Sequence, residues 1–380
     1  MATPKSSTKP AMTTHSFPPS RQWVVYMVFP ALAALATWYM RLGPAAEALA
    51  SYFGLIMEPK PFFFPDSDIQ LRRTYVGIDA LDTFLSFLVA AFLPGAAGLN
   101  KAFQLQQLHF LFSFLPVLAT WSVEAARQGS AWKIISFTSF WSLFYQTVGG
   151  AIFIPLWYLA FLLTTSRTVY GANNSNHPVP LPQAKALIPA LLIGYVVPTT
   201  LMYLPFLGIE TQQFMVALWQ PAPLFVNGLW AVGSWISAGT ERPEQNKKNS
   251  EKYVKAVYLL SGVVSAIVHL GVMWTCLTSD NPAVNLGEVL VPVERSTWGM
   301  ATSLLFVFQV DFWVIMAAGL VAAWVVVWDV HHLGLADVGT GKIVAVTIVV
   351  AVVLGPGAAI SGVWYWREGK LRQAVPRGKR

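Results

Sequence analysis

LLFVFQVDFWVIMAAGLVAAWVVVWDVHH, Leu304 to His332, is an apolar run that carries Gln309 and Asp311 inside it rather than at its edge. A hydrocarbon core about 30 Å thick takes about 20 residues of helix, so this stretch reads as a transmembrane span and decides the fold class. A carboxylate near the middle of such a span costs roughly 2.5 to 3.5 kcal/mol on insertion scales. It is therefore expected to face the bundle interior, with a partner or a task.

The rest of the chain agrees. Of its 380 residues 55% are hydrophobic and only 11% charged, with a mean hydropathy of +0.53, whereas soluble domains carry about 25% charged residues. A net charge of +7 in a soluble protein would point to nucleic acid. Here Lys and Arg gather in connections and near the C-terminus, so membrane lipid headgroups are the expected partner and nucleic acid is not. The lone Cys276 leaves no intrachain disulfide framework or cysteine-based metal site and reads as a packed thiol.

The expected fold is an all-α polytopic transmembrane helical bundle of about seven to ten spans, with about nine the best count. Their cores are Trp23–Tyr39, Gly77–Pro94, Gln107–Ala125, Ile134–Thr165, Ala186–Phe206, Gln213–Ser237, Ala256–Leu277, Leu304–Trp328 and Ile343–Trp364. The fourth is too long for one upright helix and contains Gly149-Gly150 and Pro155, so it is kinked, tilted or divided. Residues 1–20, rich in Pro, Ser and Thr and without an apolar signal-peptide core, read as a disordered tail. Residues 21–366 read as one helical membrane domain, and 367–380 as a basic tail. Asn173-Asn174-Ser175 is a glycosylation sequon close to a membrane end.

Few ionisable residues lie within the spans. Asp79 and Asp82 stand three apart on one helical face, and Asp79 also suits a helix start. His109 and Glu124 share the third span, His269 lies deep in the seventh, and Asp329, His331 and His332 end the eighth. Glu124 with Arg127 reads equally as a solvated helix-end pair, His269 as a bond to a neighbouring helix, and Asp329 as interfacial. Asp82 and Asp311 are harder to explain structurally and point to function. The sequence has no DDxxD-like magnesium motif, DxDD acid motif, GxSxG elbow or HExxH pair. It does have 16 Trp, 24 Phe and 12 Tyr. "AFQLQQLHFLF", "SFWSLFYQ" and "FQVDFW" set aromatic rings beside polar groups within spans. Such a cavity suits a cationic intermediate, because π faces stabilise a desolvated cation by about 2 kcal/mol or more.

"YVGIDALDTFLSFLVAAFLPG", "LQQLHFLF", "VEAARQGS" and "FVFQVDFW", in that order between Tyr75 and Trp328, resemble the fungal integral-membrane terpene cyclases of meroterpenoid biosynthesis, of the ascochlorin and ascofuranone type. The resemblance implies proton-initiated cyclisation of a prenylated, often epoxidised, aromatic or polyketide substrate in a multi-pass membrane enzyme of the endoplasmic reticulum, with no metal or redox cofactor. A prenyltransferase and a flavin epoxidase would be its pathway partners. By the Gln-x-Asp-aromatic and Glu-x-x-Arg patterns it implies Asp311 and Glu124 as proton-handling acids, with Asp82 next. His109, Gln309, Phe312, Trp313 and His269 would line the substrate cavity. Two other readings stay open: a sterol-isomerase-like membrane enzyme, and a non-catalytic transporter or receptor whose acids bind protons or a cation.

Overall fold

The structure, a computed structural model, describes residues 19–169, 178–239, 246–332, 334–336 and 339–373. The sequon at Asn173, residues 1–18 of the expected N-terminal tail and the last seven residues lie outside them. Among the described residues the architecture is helical, with only Phe63 and Gln70 forming an isolated antiparallel bridge.

The chain opens with α1 (Pro19–Thr37), α2 (Pro44–Met57), α3 (Asp79–Ala96) and α4 (Lys101–Ala126). Next come α5 (Thr138–Thr147), α6 (Gly150–Val169), α7 (Leu181–Leu191), α8 (Val197–Met202), α9 (Ile209–Trp219) and α10 (Ala222–Ala238). The last third holds α11 (Asn246–Thr278), α12 (Leu286–Leu290), α13 (Met300–His332), α14 (Thr340–Val353) and α15 (Pro356–Gln373).

Six of these helices, some with a π-helical turn, are long and apolar enough to cross a membrane; the pair α9–α10, bent by 60°, makes a seventh if counted as one span. This is fewer than the nine spans expected, and the difference lies in breaks. The stretch Ile134–Thr165 divides at Val148-Gly149 into α5 and α6, and Ile343–Trp364 divides at Leu354-Gly355 into α14 and α15. Gly149 and Gly355 have φ of +138° and +95°, conformations that only glycine adopts without strain. An apolar run therefore overstates the number of crossings wherever it contains such a hinge.

α4 is the centre of the bundle. Its polar residues are scattered rather than gathered on one face, and it is buried along nearly its whole length, as expected of a core helix. Asn100 starts it by accepting the Phe103 amide at 2.9 Å, a cap worth about 1 kcal/mol. It packs against α3, α7, α11, α13 and α15, while α13 packs in turn against α1, α2 and α6. The helix α15 runs through Trp366, the expected end of the domain, to Gln373. Arg367, expected to begin a basic tail, is fully buried because it meets two carboxylates inside the bundle.

Candidate functional site

The break between α5 and α6 explains the position of Asp311. A helix that begins inside an apolar bundle leaves its first amides without intrahelical partners, and with no water there they need another acceptor. Asp311 of α13 supplies it: Oδ1 accepts the Ala151 amide, and the Gly150 amide also acts on the carboxylate. Gly150 permits the approach, since a Cβ there would stand 3.2 Å from Oδ1. Arg41, following α1, donates to the Val148 carbonyl, and its charge acts on Asp311 without a salt bridge among the described residues. The residue as a whole is half-buried. The partners Arg41, Gly150 and Ala151 were not foreseen; Gly149-Gly150 was the signal that pointed towards them.

Glu124 has different company. Its Oε1 accepts from Arg127 Nε at 2.9 Å and from an Arg367 guanidinium nitrogen at 2.7 Å, while Arg127 also pairs with Glu368. All four residues are buried. This is a two-by-two charge cluster tying α4 to α15, not the solvated helix-end pair open to Glu124 and Arg127 from sequence. Asp82 is separate again: Oδ1 accepts the amides of Tyr75 at 2.9 Å and Val76 at 2.8 Å, and Oδ2 that of Gly77 at 2.9 Å. Its carboxylate folds the preceding loop onto the start of α3. Asp329 is buried and takes Arg21 through two bonds of 2.6 and 2.8 Å.

The residues expected to line one cavity fall into two groups. Gln309 donates to the carbonyls of Glu288 and Val289 at 2.8 and 3.1 Å, and Trp313 Nε1 donates to that of Leu290 at 2.6 Å. One turn apart on α13, they clamp α12. His109, His269 and Phe312 do come together. The histidine rings are joined by a 2.9 Å hydrogen bond, and Phe312 lies 4.8 Å from His109 between ring centres.

From Phe312 a succession of rings runs down the bundle. Phe312 meets Phe110, which meets Phe114, then Tyr145, Trp121, Trp157, Phe161 and Trp364, with successive centres 4.9 to 6.3 Å apart. Arg367 lies 4.8 Å from the Trp364 ring, so the row joins the level of His109 to the Glu124 cluster. Those two residues are about 22 Å apart along α4 at 1.5 Å per residue. Along this row the polar hydrogens of Trp121, Tyr145, Trp157 and Trp364 are buried without hydrogen-bond partners. Buried polar groups are normally satisfied, so four in one row need a reason. Tyr145, Trp157 and Trp364 were missed from sequence; the quoted "SFWSLFYQ" was the signal for the first.

A family model described as the CtvD domain matches residues 24–371. The chain is 26% identical to "Terpene cyclase ascI" of Acremonium egyptiacum over 359 residues, 89% of this chain and 90% of that one. It is 25% identical to "Terpene cyclase DEP1" of Fusarium langsethiae over 288 residues, 74% of each. It is also 24% identical to "FAD-dependent monooxygenase anuJ" of Penicillium roqueforti over 352 residues, 89% of this chain but 41% of that longer protein. No solved structure matches the chain.

Proposed function

This chain belongs to the CtvD domain family, and from that premise we propose that it is a membrane-embedded terpene cyclase which closes the prenyl chain of a meroterpenoid precursor by proton-initiated cyclisation. The observation that carries the reading is the buried aromatic row from Phe312 to Trp364 with its unpaired donors. A polyene lying along it would meet π faces at each carbon where positive charge develops, and such contacts favour desolvated cations. The row begins beside the helix position that carries Asp311.

Asp311 is the proposed proton donor. Glu124 is held by two guanidiniums and Asp82 by three backbone amides, whereas Asp311 is half-buried and has no ion pair among the described residues. A general acid needs a proton to give and access to the substrate. Protonation of an epoxide oxygen, or of the terminal alkene, opens the cascade, and each ring closure leaves the new cation in contact with aromatic rings. Glu124 and its arginines lie at the polar end of the row, where Arg367 packs on the Trp364 ring. The endoplasmic reticulum is the proposed site, with a prenyltransferase and a flavin epoxidase supplying the substrate. The likeness to part of a longer FAD-dependent monooxygenase supports the second partner.

The test is to give microsomes expressing the chain an epoxyfarnesyl phenol and, separately, a plain farnesyl phenol. Wild type is expected to yield a cyclised isomer from at least one, and a double change of Asp311 and Glu124 to Ala to abolish it. No cyclised product from either substrate, or full cyclisation by the double variant, refutes the proposal.

A further inference from the structure

We propose that His109, held by His269, is the base that removes the proton ending the cyclisation cascade; this rests on the cyclase reading above. The hydrogen-bond network itself assigns the tautomers. His269 Nε2 lies 3.3 Å from the Val352 carbonyl, which only accepts, so Nε2 carries the hydrogen and Nδ1 of His269 is bare. That bare nitrogen lies 2.9 Å from His109 Nε2, which therefore donates. His109 Nδ1 is left with a free lone pair, buried and without a partner.

A structural histidine between two helices would account for the Nε2 bond but not for a dry, unused acceptor on the other nitrogen. The surroundings repeat the pattern. Gln106 and Ser113 flank His109 at i−3 and i+4 on the same face of α4, Ser265 precedes His269 by one turn of α11, and each has a buried oxygen with no hydrogen-bond partner. The His109 ring lies at the end of the row where Phe312 and Phe110 begin, and Ser265 Oγ and the Ser113 backbone both lie against Gly357. The α14–α15 junction closes over them. A Cβ at Gly355 would stand 2.8 Å from His269 Cγ and 3.0 Å from Nδ1, so glycine there lets the junction press His269 towards His109.

The step balances. After the last ring closure, His109 Nδ1 takes a proton from the carbon next to the cationic centre. The electrons of that C–H bond form the new C=C bond, and the positive charge passes to the imidazole pair, where the Nε2 proton is shared with His269 Nδ1. Asp311 has given one proton and His109 has taken one, so the product is an isomer of the substrate. The imidazolium proton returns to the medium or to the carboxylate between turnovers.

The experiment measures product ratios per substrate consumed, which do not depend on how much variant folds. Wild type, H109Q, H109F, H269F and H269Q are compared on the epoxyfarnesyl phenol. H109Q retains an N–H donor towards His269 but no base; H109F retains the ring. Both are expected to go on consuming substrate while the wild-type olefin falls at least about a hundredfold relative to water-quenched alcohols and other olefin isomers, the lower edge of the usual range for loss of a base. H269F should shift the ratio in the same direction, and H269Q, whose carbonyl oxygen accepts from His109 Nε2, should restore most of it. An unchanged ratio in H109Q and H109F overturns the proposal. So does loss of all consumption by folded H109Q, or a wild-type product closed by the phenol oxygen with no new alkene. Absence of any cyclised product from wild type would instead remove the cyclase reading, and this inference with it.

Discussion

Replacing Asp311 with Asn separates its two roles. The Asn side-chain oxygen can still accept the Ala151 amide, so the start of α6 stays capped, and the loss is the charge–dipole contribution, about 1 kcal/mol. The proton donor is gone, however. General acid catalysis contributes about 10²- to 10⁴-fold, which is about 2.7 to 5.4 kcal/mol of barrier. D311A removes the acceptor as well. Ala151 is fully buried, so its stranded amide adds about 1 to 3 kcal/mol of destabilisation. The assay is the initial rate of cyclisation per monodisperse protein, from fluorescence-detected size exclusion, with thermal unfolding of the same samples in detergent. D311N should unfold near the wild-type temperature and turn over at least about a hundredfold more slowly, at the lower edge of that range; D311A should be as inactive and less stable. If D311N keeps a third or more of the wild-type rate, Asp311 is a helix cap only and the proposed acid is wrong.

Three other outcomes follow from the buried side chains. R367M leaves Glu124 and Glu368 with Arg127 alone, and breaking such a buried network should cost about 3 to 5 kcal/mol, read as a lower unfolding temperature; a change within error would mean the cluster does not hold α15 in place. R21A should destabilise to a similar degree by leaving Asp329 unpaired, whereas the double variant R21M/D329L should recover most of the loss. W157L removes the ring stacked on Trp121 at 4.9 Å and with it about 0.5 to 2 kcal/mol of cation stabilisation. Its kcat should fall roughly 2- to 30-fold, with more prematurely quenched product.

The helical membrane class was legible in the sequence because it depends only on the length and composition of apolar runs. The number of spans was not, since Gly149 and Gly355 take positive φ values that divide two runs, and hydropathy does not register a backbone angle. An intramembrane carboxylate needs a partner, and Asp311 has one. The partner is a backbone amide exposed by a helix break, which no pattern of side chains marks. Arg21 and Asp329 lie 308 residues apart, and Glu124 and Arg367 lie 243 apart. Tertiary packing alone brings them together, so Glu124 read as a helix-end residue or a proton-handling acid and Arg367 as part of a tail. Gln309 and Trp313 read as cavity residues because they flank Asp311, yet one turn of helix carries both to α12. His109, His269 and Phe312 were placed together by their polar and aromatic company, and they are together; the hydrogen bond that joins the two rings depends on α14 and could not be foreseen.

The most direct test of the central claim uses the purified chain in lipid nanodiscs with the epoxyfarnesyl phenol and no added cofactor. The account predicts a product of unchanged mass with a new carbocycle and a hydroxyl where the epoxide stood. Recovery of unchanged epoxide, or of its diol alone, from protein that remains folded would contradict it.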